Sequence, residues 1–576
     1  MNIKQNVSNG DPTPEGGNLS EGTDSEAVQV TGSEQSKVGN SETAATEATA
    51  AGSDSVSELV TAAAAGDSDN ELNADSISSD SRSVSVIEVP SVSSNGALAA
   101  PSQHFPHSLP KELRLFLAQN GKAHSVHFDK KNRYVLTVGS RLLNNLIREL
   151  GQGEGLTLRQ SAITDVNHFL QAKAEMAGTS ADVWYRIAPI PEGVEIDLGD
   201  ATHARVRITP GRVEIIDADS ETLFFRTPSM QAMVRPAAVG NLKLLKKYVN
   251  LDSVAFLLLT AWLSYTLAHP KAASSKFVIL VLHGGEGSGK SHICKLIIRL
   301  IDPRHIGVQT LPANGKDLAI ATQTAHLNCY DNVRGISQAI SDNLCIAATG
   351  GAITTRQLYT DAEQHVIPLH GALVINGIYS FIDQPDLAQR SLPLHLNPMK
   401  EELRKSELEM AQEFERDLPE IQRGLFDLIA NVFQQLPAAK VTSPTRMIQF
   451  SQWLAAMEMV QGAPAGAFQN VYCDALAEGQ RDALLDNSLA AAVLELGEAL
   501  QEIKWSGTPT ELLAVLNTMV SPGTQRSRNW PENAIALSKR LAPLQASLLS
   551  QGISVELSRG KTRTVTITKT GGGDRV

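Results

Sequence analysis

The sequence predicts an α/β fold centred on a parallel sheet, and three observations carry that expectation. Residues 277–282 form an apolar, β-branch-rich run, as expected of a parallel strand covered on both faces. That run breaks into Gly284, Gly285, Gly287 and Gly289 and then resumes with helical spacing. Two later apolar runs, 325–330 and 369–377, close on Asp331 and Asn376, polar residues suited to the tip of a strand. Around this core, at 241–400, composition and periodicity place a tail at 1–103, a small α+β domain at 104–240, a helical lid at 401–485 and a winged-helix-like domain at 486–570.

The first hundred residues hold 16 Asp and Glu against Lys4, Lys37 and Arg82, an excess larger than the whole chain's formal charge of −12, and no Phe, Tyr or Trp. Such a segment cannot bury enough apolar area to offset its chain entropy, so a disordered acidic tail is expected. Two roles stay open for it: a solubilising tail, or an acidic segment that competes with DNA for a basic surface. It lacks the basic start and apolar core of a signal peptide. Four cysteines, Cys294, Cys329, Cys345 and Cys473, are spaced too widely for a zinc cluster and read as buried free thiols of a cytoplasmic protein. The apolar stretch 254–267 is too short for a membrane span and carries Thr260 and Ser264, so a buried helix and no membrane contact are expected.

Between 105 and 236, residues 113–117 and 141–150 have helical spacing, and 162–176 reads as a further helix. Short alternating runs follow at 183–187, 194–198, 204–208, 213–216 and 223–226, separated by turn residues such as Pro191, Gly193, Pro210 and Gly211, as antiparallel hairpins require. Asp197, Asp200 and His203 are similar to the acidic-plus-histidine cluster of archaeo-eukaryotic primases, in which carboxylates converge on two metal ions. They also straddle an expected hairpin turn, where Asp is common for reasons of its own. A short basic helix at 241–249, with Lys243, Lys246 and Lys247 on a solvated face, leads into the apolar one.

Residues 284–291 contain the complete G-x-x-x-x-G-K-[ST] spacing. The glycines let successive backbone N–H groups turn inward at a helix N-terminus, a concave nest favourable to phosphate oxygens. Gly284, Gly285, Glu286, Gly287, Ser288, Gly289, Lys290, Ser291 and His292 are therefore the candidate nucleotide loop, with Lys290 reaching the β- and γ-phosphates and the Ser291 hydroxyl on Mg²⁺. Asp331, at the tip of a strand beside that loop, is placed to hold Mg²⁺ through water. Next to it stands Asn332, whose amide can orient a water but cannot accept its proton as a base. Segment 347–359 has a glycine pair, a β-prone run, Arg356 and Tyr359. Asn376 is placed to sense a γ-phosphate; a strand-ending turn residue is the other reading. Arg390 lies on a short turn before the strand-like run 392–396, where it could reach a neighbouring subunit's nucleotide as a finger or pair locally with Asp386.

Residues 400–436 are strongly helical and charge-laced, with Pro419 marking a break, and 446–460 form another helix. Together they read as a helical lid that packs on the core and follows the nucleotide state. From 486 the expected order is helix (488–504), helix (510–519), a basic loop with Arg526 and Arg528, helix (533–550), and a hairpin of 554–557 with 564–568. Three helices and a β-wing resemble a winged helix. Arg526, Arg528, Lys539, Arg540, Arg559, Lys561, Arg563 and Lys569 stand against Glu532 and Glu556, a basic patch suited to phosphate contacts and salt-sensitive DNA binding. A winged helix used for protein contacts is the other reading.

Taken in order, GGEGSGKS, NCYDN, ATGGAITTRQLYTD, LVING and PDLAQR resemble the AAA+ module of superfamily-three-type helicases. The likeness is nearest to phage and plasmid primase–helicases and the ATP-binding proteins of bacterial mobile elements; it covers residues 250–460 and extends more loosely to both flanks. The resemblance implies an AAA+ P-loop ATPase core that takes ATP with Mg²⁺ and acts as a DNA helicase in replication. It implies a homo-oligomer, with a hexameric ring as the candidate assembly, on single-stranded DNA. By the same resemblance, Arg356 lies on a channel-lining hairpin and contacts DNA, unless it pairs with Asp361; Asn376 is sensor one and Arg390 the finger acting in trans. Most members of the class place an acid at the position of Asn332. Its absence leaves nucleotide binding intact and favours an alternative function, a nucleotide-switched winged-helix DNA-binding regulator or loader with little hydrolysis.

Overall fold

The structure, a computed structural model, describes residues 114–570 apart from 119–122, 130–131, 154, 217–220, 357–363, 378–380, 383, 399–405, 501–503, 528–529 and 560–562. The expected disordered tail, 1–103, lies outside the described residues.

The N-terminal part opens with β1 (Arg114–Ala118), β2 (Ala123–Asp129) and β3 (Asn132–Thr137), followed by α1 (Arg141–Gly153), α2 (Gln160–Ala177) and β4 (Ser180–Ala181). They form one sheet in the order β3-β2-β1-β4, with β4 parallel to β1. Strand β1 buries Leu115 with Leu143, Ile147, Ile163 and Leu170 of the two helices, and Phe116 with Val135 and Val183 on the other face. The helical spacing expected at 113–117 is thus corrected to a strand. Both faces of β1 are covered, so its apolar residues do not alternate with polar ones and their period carries no signal.

Next come β5 (Val183–Trp184), β6 (Ile187–Ile190), β7 (Gly193–Asp197), β8 (Arg205–Thr209), β9 (Arg212–Ile216) and β10 (Leu223–Phe224). Strands β6 to β9 form an antiparallel meander, while β5 and β10 pair in parallel. At the turn after β7, Asp197 accepts Arg226 on both oxygens at 2.8 and 2.6 Å and the Gly199 N–H at 3.0 Å. Asp200 accepts the Ala204 N–H at 3.0 Å, and His203 takes a left-handed φ of +54°. Both carboxylates are committed to closing the turn and holding an arginine. Among the described residues no group of three or more His, Cys, Asp or Glu suits a metal ion, so the primase-like cluster does not form.

The central part begins with α3 (Ser253–Ala268), preceded by a 3₁₀ helix, Leu242–Lys247, within the short basic helix expected at 241–249. Apolar all round, α3 is buried along most of its length, and Trp262 Nε1 donates to the Val278 carbonyl at 2.7 Å. Then follow β11 (Ile279–His283), α4 (Lys290–Ile301), α5 (Gly315–Gln323), β12 (Leu327–Tyr330), α6 (Gln338–Thr349), β13 (Gly351–Arg356), β14 (Gln364–Leu369), β15 (Ala372–Gly377), α7 (Pro385–Ala388) and β16 (Ser391–His395). Strands β12, β15, β11 and β16 lie side by side in that order, all parallel, and Gln309 bridges Tyr330 at the edge. Leu280, Leu282 and Val374 face the cluster of α3 and α4, while Ile279, Val281 and Ile375 face Leu318 of α5 and Leu344 of α6. Coverage on both faces is why these strands read as continuous apolar runs. Strands β13 and β14 form a separate antiparallel hairpin.

The C-terminal part holds α8 (Glu407–Gln435), α9 (Ile448–Gln461), α10 (Ala467–Asp486), α11 (Ser488–Ala499), β17 (Lys504–Gly507), α12 (Pro509–Met519), α13 (Pro522–Gln525), α14 (Ala534–Leu541), α15 (Gln545–Ser550), β18 (Ile553–Arg559) and β19 (Arg563–Lys569). The break expected at Pro419 is corrected: α8 runs through it. The carbonyls of Pro419 and Glu420 bond outward to the Ala237 and Asn241 N–H groups at 3.0 and 2.9 Å. A Cβ at Gly240 would stand 2.5 Å from the Gly424 nitrogen, so the preceding linker lies directly on this stretch of helix backbone. Trp453 of α9 donates to Ser264 of α3 at 3.0 Å, and Phe426, Phe450 and Trp453 join the same apolar cluster as α3 and α4. The helix expected over 488–504 stops at Ala499, and β17 enters the wing sheet, whose order is β17-β19-β18. Among the described residues no helix is long and apolar enough to cross a membrane.

Candidate functional site

The site is built where β11, β12 and β15 end together. Strand β11 gives way to a loop that closes into α4, and Gly289 caps that helix with a φ of +92°, a left-handed conformation that favours glycine. Gly284 is held by close approach: a Cβ there would meet the Ser288 hydroxyl at 2.7 Å and the Leu396 carbonyl at 2.9 Å. Gly285, Glu286 and Gly287 form the exposed crest of the loop, and Ser288 is buried beneath it, donating to the Gly285 carbonyl at 2.9 Å. Lys290 turns back inside the loop, its Nζ donating to the Gly284 and Gly285 carbonyls at 2.7 Å each. Burial pushes the lysine's pKa down, while Asp331 and Glu286 oppose that shift. His292, next along α4, is also pushed down by burial, and its ring is directed at the Tyr248 backbone.

Ser291 and Asp331 meet directly, the hydroxyl donating to Asp331 Oδ2 at 2.7 Å. Magnesium prefers octahedral oxygen ligands near 2.1 Å, which places neighbouring ligands about 3 Å apart. The Ser291 oxygen can take one such position while its hydrogen stays on Asp331, which is then placed to reach the ion through a water, with phosphate and water oxygens completing the shell. Asp331 is fixed through its N–H, which donates to the Gln309 carbonyl at 2.9 Å.

The next residue, Asn332, is exposed and has a φ of +55°. That left-handed turn points two consecutive N–H groups at Asn376: Asn332 N–H reaches Asn376 Oδ1 at 3.1 Å, and Val333 N–H reaches the Asn376 carbonyl at 2.9 Å. Asn376 is fully buried, and its Nδ2 donates to Cys294 Sγ at 3.1 Å. Ser291 with Asp331, and Asn332 with Asn376, are thus joined as two hydrogen-bonded pairs beside the loop that holds Lys290.

Arg390 is placed differently. Its guanidinium bonds Asp386 Oδ2 at 2.6 Å and the Asp386 carbonyl at 2.9 Å, and its side chain is 11% exposed. Asp386 Oδ1 also holds Arg446 at 2.8 Å, and Arg446 is 45% exposed. Arg356 ends strand β13 opposite Gln364; its side chain, and Tyr359 and Asp361, lie outside what is described.

In the wing region, Arg526, Lys539 and Arg563 are exposed and Arg540 is half-buried. Arg559 and Arg563 sit directly opposite one another across β18 and β19, while Arg528 and Lys561 lie outside the described residues.

Sequence reasoning missed three contributors. Cys294 read only as a buried thiol, yet it touches Asn376 across 82 residues of chain. Arg446 carried no motif. The buried pair of Arg186 with Asp302, at 3.1 Å, joins the N-terminal part to the end of α4 and left no local trace.

No curated protein matches the chain. Among solved structures, it is similar to the SCCmec type IV Cch active helicase, at 10% identity and a TM-score of 0.40 over 80% of this chain and 95% of that one. It is also similar to the A-form apo structure of the NrS-1 C-terminal region, at 14% identity and a TM-score of 0.35 over 82% of this chain and 100% of that one. Likenesses so distant carry no argument about this chain. The model of the actinomycete integrative conjugative element replication protein matches residues 242–478, and that of the AICE RepA C-terminal domain matches 489–574. The two matches together span more than half of the chain, which therefore belongs to the RepA replication protein family of actinomycete integrative conjugative elements.

Proposed function

We propose that this replication protein is an ATP-dependent DNA motor or remodeller, with its nucleotide held at the tips of β11, β12 and β15. The observation that carries the reading is the convergence of Lys290, Ser291, Asp331 and Asn376 at those tips. In that role Lys290 exchanges two loop carbonyls for phosphate oxygens, and the glycine-rich turn presents its N–H groups to the same anion. Ser291 and Asp331 would hold Mg²⁺, which when bound neutralises developing phosphate charge. Asn376 presents an amide hydrogen to the terminal phosphoryl group, and Asn332 orients the attacking water without taking its proton.

DNA engages two places in this proposal, the β13–β14 hairpin with Arg356 and the arginine-bearing wing of β18 and β19. A homo-oligomer would complete the site through Arg390, which must first leave Asp386, a half-exposed acid that also holds Arg446. The test is ATP turnover of the purified chain with and without single-stranded DNA, beside Lys290→Ala. Turnover that rises with DNA and vanishes in the variant supports the proposal. Tight ATP binding with no DNA-stimulated turnover in any oligomeric state overturns it.

A second reading is favoured by one observation, the exposed amide of Asn332 where an acid would activate water. Here ATP gates assembly or DNA loading and is hydrolysed slowly.

A further inference from the structure

The amide of Asn376 has more partners than a sensing role requires, and one of them is a sulfur. A primary amide offers two acceptor lone pairs and two donor hydrogens on a planar frame. In Asn376 the oxygen accepts the Asn332 N–H at 3.1 Å, and one nitrogen hydrogen is directed at Cys294 Sγ, also at 3.1 Å. Fixing the oxygen and one hydrogen of a planar group fixes the direction of the other hydrogen. Cys294 stands on α4 four residues after Lys290, one turn further along the helix. Loop lysine and sulfur are therefore held by the same rigid element. Cys329, buried and kept a neutral thiol by that burial, lies beside Cys294 on the facing strand β12.

We infer that Cys294 is a positioning residue for Asn376: its sulfur orients the amide so that the remaining Nδ2 hydrogen faces the terminal phosphoryl group of a nucleotide held by Lys290. This rests on the nucleotide-site reading given above. Sulfur is a weak acceptor, so the amide is aimed without being locked, and it can adjust when a phosphate oxygen arrives. The contact distinguishes the triphosphate from the diphosphate, because only the former places an oxygen in front of that hydrogen.

The experiment uses the full chain with fluorescent ATP and ADP analogues to measure both dissociation constants, together with steady-state turnover. Cys294→Ala removes the acceptor, Cys294→Val removes it without opening a cavity, and Cys294→Ser supplies an oxygen in its place. The loss expected in Ala and Val is about three- to tenfold in the preference for ATP over ADP and in kcat, the size of one weak hydrogen bond, with ADP affinity unchanged. Ser is expected to restore both. If Ala loses affinity for ADP as well, through a loosened core, the comparison of Val with Ser decides. Wild-type preference for ATP in both Ala and Val would overturn the inference, as would a Ser variant that behaves like Val. A wild-type chain that binds neither nucleotide would instead overturn the nucleotide-site reading, and this inference with it.

Discussion

Replacing Arg186 with Met tests whether the N-terminal part and the loop-bearing core form one cooperative structure. The Arg186 guanidinium is fully buried, with Nε on Asp302 at 3.1 Å, Nη1 on the Asp197 carbonyl at 3.1 Å, and Nη2 on the Gln231 and Pro303 carbonyls at 2.9 and 3.1 Å. Met fills similar volume but satisfies none of these acceptors. Asp302 keeps the His326 N–H at 2.8 Å and stays near Arg304 and Lys271, the latter pushed down to about 7 by burial. Removing one partner of a buried pair costs about 3–5 kcal/mol. The residual partners of Asp302 favour the lower end. A chain of several parts is not expected to unfold in two states, so the readout is the apparent Tm by calorimetry. At about 2–4 °C per kcal/mol for a unit of 150–250 residues, a fall of about 10 °C is expected. The double variant Arg186→Met with Asp302→Asn removes the stranded charge yet keeps an oxygen for His326, and should recover about half of the loss. An Arg186→Met chain melting within about 2 °C of wild type would refute the reasoning, and so would a double variant weaker than the single one.

Two further outcomes are expected. Burial holds the His326 imidazole down at about 3 and that of His269 at about 4, so both are neutral in the folded chain at pH 7. The unfolded chain takes up protons first as pH falls below about 6.5, so stability is complete above that pH and drops toward pH 4 by about 1.4 kcal/mol per unit for each imidazole. Melting temperatures between pH 7.5 and 5.0 at fixed ionic strength check this, and a flat profile contradicts it. In the wing, Arg563→Ala should weaken duplex binding across all sequences and lower the slope of log Kobs against log salt by about one. An unchanged slope would take Arg563 out of the DNA contact.

The fold was legible where one element satisfies its own chemistry. Strand β11 announces itself because its apolar run stops at glycines, and α3 because its residues are apolar on every side. Legibility failed where a distant partner sets the conformation. Strand β1 reads like a helix because α1 and α2 cover one of its faces and Phe225 and Val183 pack on the other. Pro419 reads like a break because the sequence does not show that the linker before α3 packs on this stretch, where the Pro419 and Glu420 carbonyls also accept the Ala237 and Asn241 N–H groups. At the candidate site, Lys290, Ser291 and Asp331 carry a motif. The grip of Asn376 on Asn332 depends on β15 and β12 being neighbours, a strand order that periodicity cannot supply. The 401–485 helices read as a lid packed on the core, and Phe426, Phe450 and Trp453 share one apolar cluster with α3 and α4. Motion of that region would disturb the core rather than swing free of it.

The backbone at Asn332 decides how its chemistry can be tested. A φ of +55° suits Asn and Asp, whose short side chains tolerate the left-handed region, whereas a longer L-residue loses about 1–2 kcal/mol there. Both N–H contacts to Asn376 need that turn. Asn332→Asp therefore introduces an acid while keeping the turn, at the expense of a second carboxylate beside Asp331. Asn332→Glu introduces an acid with more reach but pulls the backbone toward negative φ, against the contacts with Asn376. If a missing base limits turnover, Asp should raise kcat by tenfold or more, on the order expected for a general base, with ATP affinity changed little, and Glu should raise it less. Equal gains in both would show that the turn relaxes cheaply. No gain in either would mean that the water is activated by another group, and that slow hydrolysis, if found, does not follow from Asn332.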